Sequence, residues 1–242
     1  MTSGTANNLW DIDFDGTHFY VVGAGSTYIR STDGTSWSTY ISTGIPSNTF
    51  DVIGGDVVGT LNSMNYKSSA SAFSTWTGAG GVEGIAYAPG IGYIGVGSAG
   101  KIVFSATLGG TITTVTPAPT ANNLYRVKWI SALNMFIAVG SAGTILTSTN
   151  GTTWTSRTSG KATAVFEEVS GSPDGWVVAA ATDGQMVASS DGINWKHRFS
   201  ELGLLTSTKG TVSTAYSIPG VAYGSGTWVA VGDSGKIVYA IG

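Results

Sequence analysis

A stretch of about ten residues keeps returning along the chain: YVVGAGSTYI at 20–29, YIGVGSAGKIV at 93–103, FIAVGSAGTIL at 136–146, WVVAAATDGQMV at 176–187 and WVAVGDSGKIV at 228–238. DVVGTLNSMNY at 56–66 is a weaker copy. Aligned on the small residue that closes the apolar run, the copies put Gly23, Gly59, Gly97, Gly140, Ala181 and Gly232 in one register, at intervals of 36, 38, 43, 41 and 51. A repeat of about forty residues cannot bury its own apolar face, so successive copies must cover one another.

The contents of the repeat say how. Ahead of the motif lie strand-like stretches: LWDIDF (9–14), LYRVKW (124–129) and VFEEV (165–169). The motif itself opens on runs such as FYVVG, MFIAVG and GWVVAAA, which are continuously apolar. A strand reads that way when both its faces are covered. Behind it come STDGTSW (31–37), STNGTTW (148–154) and SSDGINW (189–195). Asp-Gly or Asn-Gly between strand residues marks a tight hairpin, because its central residues must accept positive φ. Ser31, Ser148 and Ser189 are expected to bond the turn backbone, and Asp33, Asn150 and Asp191 to bond their own turns. Trp37, Trp154 and Trp195 then fold back between neighbouring repeats, so that the motif works as a structural latch.

Composition agrees. With 36 glycines the chain is poor material for helices, and the best helical candidate, SELGLLTS near 200–207, spans at most a turn or two. The expectation is an all-β fold: a six-bladed β-propeller of roughly four antiparallel strands per blade, in a single domain over 1–242. Blades fall at about 7–46, 47–80, 81–120, 121–162, 163–210 and 211–242, the last completed by 1–6. Closure by the N-terminal segment, Thr2 to Thr5, would remove open sheet edges.

The serine, Asp-Gly turn and tryptophan resemble the Asp-box hairpin of sialidase-like propellers and of photosystem II assembly factors of the Ycf48 type, in a form shortened by one residue. VAVGDSGKIV and FIAVGSAGTILTSTNGTTWTSR are similar to repeats of bacteriophage tail and virion proteins. That likeness implies a non-enzymatic virion component, a tail-fibre, receptor-binding or decoration module that meets other virion proteins or a host surface glycan. The Ycf48 likeness implies instead a propeller that binds a protein partner. Ycf48-type proteins carry a basic patch and a delivery signal, and neither is visible here.

Charge narrows the rest. Only 10% of residues are charged, the net charge is −3, and no Lys/Arg run exists, which argues against nucleic acid or an anionic membrane as partner. No signal peptide or spanning apolar run is visible. The expected location is therefore the virion, after synthesis in the host cytoplasm. With no Cys there is no disulfide framework or thiolate site, and no cofactor is implied.

Candidate sites are few. Asp11, Asp13, Asp15 and Gly16 open like a calcium loop, but Phe19 and Val22 stand where later ligands belong. A hairpin turn is the competing reading. A glycosidase would need paired carboxylates, and Glu83, Glu167, Glu168 and Glu201 form no recognisable motif. His18 and His197 lie in different repeats, on expected loop or strand positions. Trp10, Tyr125 and Phe166 are expected to share one slot at the start of first strands, suited to repeated packing or to stacking on a ligand such as a sugar ring. The insertion at 201–220 breaks the period and is a further candidate for recognition.

Overall fold

The computed structural model describes residues 5–39, 48–60, 63–69, 72–197, 220–232 and 236–241. They form six successive antiparallel meanders. The first comprises β1 (Leu9–Phe14), β2 (Phe19–Gly23), β3 (Tyr28–Ser31) and β4 (Ser38–Thr39). The second holds β5 (Asp51–Ile53), β6 (Val57–Thr60), β7 (Ser63–Ser69) and β8 (Ala72–Thr75). In the third are β9 (Val82–Ala88), β10 (Gly92–Gly97), β11 (Ile102–Ser105) and β12 (Thr113–Thr114). The fourth runs through β13 (Leu124–Ile130), β14 (Met135–Gly140), β15 (Ile145–Ser148) and β16 (Thr155–Arg157). The fifth has β17 (Phe166–Gly171), β18 (Val177–Ala181), β19 (Met186–Ser189) and β20 (Lys196–His197). The sixth shows three strands among the described residues, β21 (Gly220–Gly224), β22 (Thr227–Gly232) and β23 (Lys236–Ile241). A single pair, Thr60 with Val82, links the second and third meanders into one sheet. Among the described residues no helix is long and apolar enough to cross a membrane.

The chain divides into two compact units, 1–118 and 119–242, each of three meanders. Within each unit the first strand of one meander lies against the first strand of the next: β1 on β5 and β5 on β9, then β13 on β17 and β17 on β21. The continuously apolar second strands follow from this stacking. On β18, Val177, Ala179 and Ala181 pack with Ile137, Val139 and Ile145 of the fourth meander. Val178 and Ala180, on the other face, pack with Val221, Trp228 and Ala230 of the sixth. In the first unit Tyr20, Val22 and Tyr28 meet Val52, Val58 and Phe73, while Val57, Met64 and Trp76 meet Val82, Ile85 and Val103.

The glycine that ends the repeated motif has a steric reason. A Cβ on Gly23, Gly97 or Gly140 would lie 2.1, 1.8 or 1.9 Å from the carbonyl oxygen of Asn8, Gly81 or Asn123. That carbonyl sits just ahead of the first strand, and the residue after the glycine donates to it in the Ala24–Asn8 and Ser141–Asn123 pairs, both at 2.9 Å. Close backbone approach of this kind is what a strand glycine permits. Gly59 does not belong to the set. It pairs with Asp51 as Val22 pairs with Asp11, one residue earlier than the other glycines. Its resemblance to the motif comes from a chance Val-Val-Gly, and Thr60 occupies the place of Gly23.

Candidate functional site

The three Ser-x-Asp/Asn-Gly turns are held by side-chain hydrogen bonds. Ser31 donates to Asp33 (2.9 Å) and accepts from the Gly34 N–H (2.9 Å), while Asp33 accepts from the Thr35 and Ser36 N–H groups, both at 2.7 Å. Ser148 with Asn150, and Ser189 with Asp191, repeat the pattern. Trp154 and Trp195 each close the turn by donating to the carbonyl of Gly151 or Gly192. Trp195 is buried with fourth-meander side chains, as a wedge between repeats should be. Hydrogen bonds from the turn backbone, Ser36 and Thr35 at the first and Asn194 at the third, hold Asp33 and Asp191 far below the usual carboxylate range.

The three carboxylates of DIDFDG do not converge. Asp11 accepts from the Val52 N–H (2.9 Å) and Asp13 from the Gly54 N–H (2.6 Å), both on the second meander. Asp15 turns back to its own hairpin, accepting from Thr17, His18 and the Tyr20 hydroxyl. Desolvation pushes the Asp15 carboxyl up, and these bonds with the His18 charge outweigh it, leaving it below its ordinary value. Each oxygen set therefore answers a backbone donor instead of facing a shared ion. Among the described residues no three His, Cys, Asp or Glu side chains are grouped to hold a metal. His18 is half-buried beside Asp15 (3.9 Å), and His197 is exposed on β20. The insertion at 201–219 lies outside the described residues, as do residues 1–4.

A repeated bulge marks the start of the first strands. Register slips between Leu9 and Asp11, Val82 and Gly84, Leu124 and Arg126, and Phe166 and Glu168. The extra residues are Trp10, Glu83, Tyr125 and Glu167. Phe50 precedes Asp51 as Trp10 precedes Asp11, and it takes the same place in the second meander. Phe166 does not share the slot expected for it. It pairs with Ala181 as Leu9 pairs with Gly23, one residue before the bulge, and is fully buried in the core. A side chain sealed there presents no surface to a ligand, and Glu167 takes the position instead.

The four bulge residues and Phe50 are all half-buried. In the first unit the Trp10 and Phe50 rings stack, with centroids 4.6 Å apart and planes 13° from parallel, and Glu83 accepts from the Ser98 hydroxyl (3.2 Å). In the second unit the equivalent positions hold Tyr125 and Glu167. In three repeats the residue that follows this position ties its strand to the next meander. Asp11 reaches Val52, Asp51 reaches the Ile85 N–H (2.8 Å), and Arg126 lies 3.2 Å from the Glu168 carboxylate. A bulge so braced re-aims one side chain on a rigid backbone. The sequence carries a hint of it, since Trp10-Asp11-Ile12 recurs as Phe50-Asp51-Val52. The glutamates share no such signature. Beside Trp10 the outer face of the first meander opens as a cleft of about 550 Å³, lined by Leu9, Ile12, Val21, Ile29 and Trp37.

No family model and no curated protein matches this sequence. Solved structures do match its fold. Ycf48 bound to a D1 peptide superposes over 100% of this chain and 94% of its own, with TM-score 0.62 and 14% identity. Ycf48 from Cyanidioschyzon merolae matches over 97% and 82%, at TM-score 0.67 and 16% identity. Virginiamycin B lyase from Staphylococcus aureus gives TM-score 0.76 at 10% identity, over 98% and 82%. These are β-propellers, and at such identities the likeness establishes the fold alone.

Proposed function

We propose that the chain is a non-enzymatic β-propeller that binds a segment of a partner protein along the row of Trp10, Phe50 and Glu83 in the first unit. The observation that carries this reading is the contrast between a conserved geometry and a varied chemistry. The bulge recurs in four repeats, yet it holds Trp, Glu, Tyr and Glu, whereas the core position two residues on stays Val or Ile. Packing constrains the second and leaves the first open for recognition. A partner segment finds aromatic faces there, which are enriched at protein interfaces, and carboxylates that accept hydrogen bonds. Ycf48 bound to a D1 peptide lends the reading a propeller precedent. A virion role rests only on the repeat phrases and gains nothing from the structural likenesses. The lyase likeness brings no catalytic residues with it.

The same proposal takes the six meanders as blades of one closed ring over 1–242, with the N-terminal segment completing the last. Exposure at the two ends of the repeat array supports this. Ile12 is 55% exposed, whereas its register mates Val52, Ile85, Val127, Val169 and Val221 are all buried. At the other end Val229 and Val231 are 37% and 45% exposed, whereas Val178 and Ala180 in the same places of the fifth meander are buried. Two apolar faces left over at opposite ends of a repeat are what ring closure would cover.

Selection of linear peptides from a random library against the purified protein tests the binding reading. Selected peptides should lose at least tenfold in affinity on Trp10→Ala, Phe50→Ala or Glu83→Ala, with melting unchanged. Peptides that bind all three variants as they bind the parent protein would refute the assignment.

A further inference from the structure

The second repeat departs most from the others, and the departure creates a surface. It lacks the Ser-x-Asp-Gly latch, and its tryptophan, Trp76, donates instead to the Gly110 carbonyl of the third meander (2.6 Å). Trp76 is buried and wedged edge-on between Tyr66 (5.5 Å, 61°) and Tyr93 (5.4 Å, 62°). Tyr93 in turn packs on Tyr87 across the β9–β10 hairpin, with centroids 4.6 Å apart. The result is a continuous aromatic chain that runs from a buried indole to Tyr87, which is 40% exposed. Beside it Lys67 and Asp56 form an ion pair (3.5 Å). Lys67 follows Tyr66 on β7 and its N–H donates to the Asp56 carbonyl (2.7 Å), which sets the ion pair at the end of the strand that carries Tyr66. Desolvation, with the neighbours Tyr87 and Asp56, pushes the Tyr93 phenol up.

We propose that Tyr66, Tyr87 and Tyr93, with Asp56 and Lys67 at their margin, form a binding site for a neutral oligosaccharide. A pyranose has a flat apolar C–H face and a rim of hydroxyls. Tyrosine answers both, with a ring to stack on and a hydroxyl that donates and accepts. The rings are held from behind by Trp76, so little side-chain freedom is lost on binding. The adjacent ion pair offers a donor and an acceptor with no net charge, which favours neutral sugars over sialylated or sulfated ones.

The patch is separate from the bulge row. Glu83 opens β9 and Tyr87 lies four residues on, a span of roughly 13 Å along a strand. It is also particular to this part of the array. Position 66 is Tyr in the second repeat, but its register mates are Arg30 in the first and Thr147 in the fourth.

A glycan array of neutral and acidic oligosaccharides, followed by saturation-transfer NMR with the strongest neutral ligand, tests the site. Neutral hexose oligosaccharides should bind, with contacts from tyrosine ring protons. Tyr87→Ala should weaken binding at least tenfold, and Tyr87→Phe should retain more of it than Tyr87→Ala. Melting should be unchanged in both, and the Phe variant keeps the test informative if the Ala variant folds poorly. Absence of neutral-glycan binding, exclusive binding of acidic glycans, or full binding by Tyr87→Ala would each overturn the proposal. Loss of peptide binding in the bulge-row variants with glycan binding intact would separate the two sites.

Discussion

The first and fourth repeats are assembled from the same parts. Each has a bulge residue (Trp10, Tyr125), a glycine against a preceding carbonyl (Gly23, Gly140) and a serine latch (Ser31, Ser148). Each sets a phenylalanine on the second strand near the latch tryptophan, Phe19–Trp37 at 6.5 Å and Phe136–Trp154 at 6.3 Å. They differ in cover. Ile12 is 55% exposed, and Val127, in the same register against Ala138, is fully buried. The local sequence of a repeat thus specifies its strands and turns, while its burial depends on what stands next to it. That division is characteristic of repeat architectures, where stability sums repeat and interface terms.

The glycine gives the strongest way to break the equivalence. Gly140→Ala drives a methyl group to 1.9 Å from a backbone oxygen, and neither partner can rotate away. A loss of about 3 kcal/mol or more is expected in urea unfolding. The fifth repeat supplies the control. Ala181 occupies the same place, and the Thr182 N–H still reaches the Val165 carbonyl at 3.0 Å, so Ala181→Gly should cost only about 1 kcal/mol or less. Equal, small losses from both substitutions would show that the close approach is not a constraint.

The exposure difference between the two repeats becomes a test of the ring. Val127→Ala should cost about 2 kcal/mol from lost burial and the cavity left behind. If the first and last meanders cover each other, Ile12→Ala should cost a comparable amount. A loss under about 0.5 kcal/mol at Ile12, the usual result at an exposed site, would remove closure and leave the six meanders as an open array.

Legibility in the sequence followed the same line between local and neighbour-dependent features. Hairpins, latches and the two-faced second strands were readable, because Asp-Gly, Asn-Gly and apolar runs act locally. The bulge was hidden, because it is a matter of register between strands. Counting from the motif placed Phe166 beside Trp10 and Tyr125, and only the pairing of Phe166 with Ala181 shows the one-residue offset. Gly59 misled for the same reason. Asp11 and Asp13 looked like ligands because sequence spacing cannot say that a neighbouring strand holds the N–H groups they accept from. The Tyr66–Trp76–Tyr93–Tyr87 chain joins residues of two repeats, and no periodic alignment would bring them together.

The latches should respond more weakly, and alike in both repeats. Ser148→Ala leaves the buried Gly151 N–H without its 2.8 Å acceptor, at a cost of about 1–2 kcal/mol. Ser31→Ala should cost somewhat less, since its turn is more exposed. A much larger effect at Ser31 would mean that the first latch is braced by something beyond its own turn.

Acid should expose the one chemical difference between these latches. Asp33 and Asp191 have folded-state pKa values held far below the ordinary value, chiefly by backbone donors of their turns. A carboxylate depressed in the folded state contributes stability above its unfolded value of about 4, and that contribution is lost as pH falls below it. Asn150 makes the equivalent bonds to the Thr152 and Thr153 N–H groups with an amide that does not titrate. The double substitution Asp33→Asn, Asp191→Asn should therefore preserve the turns, change melting little at neutral pH and move the acid-unfolding midpoint to lower pH. The reverse exchange, Asn150→Asp, should move it upward, because hydrogen bonds that pH does not touch are then replaced by ones that protonation weakens. Unchanged acid midpoints in both variants would mean that the latch carboxylates contribute equally to the folded and unfolded chain, and that the turn hydrogen bonds do not distinguish an amide from a charge.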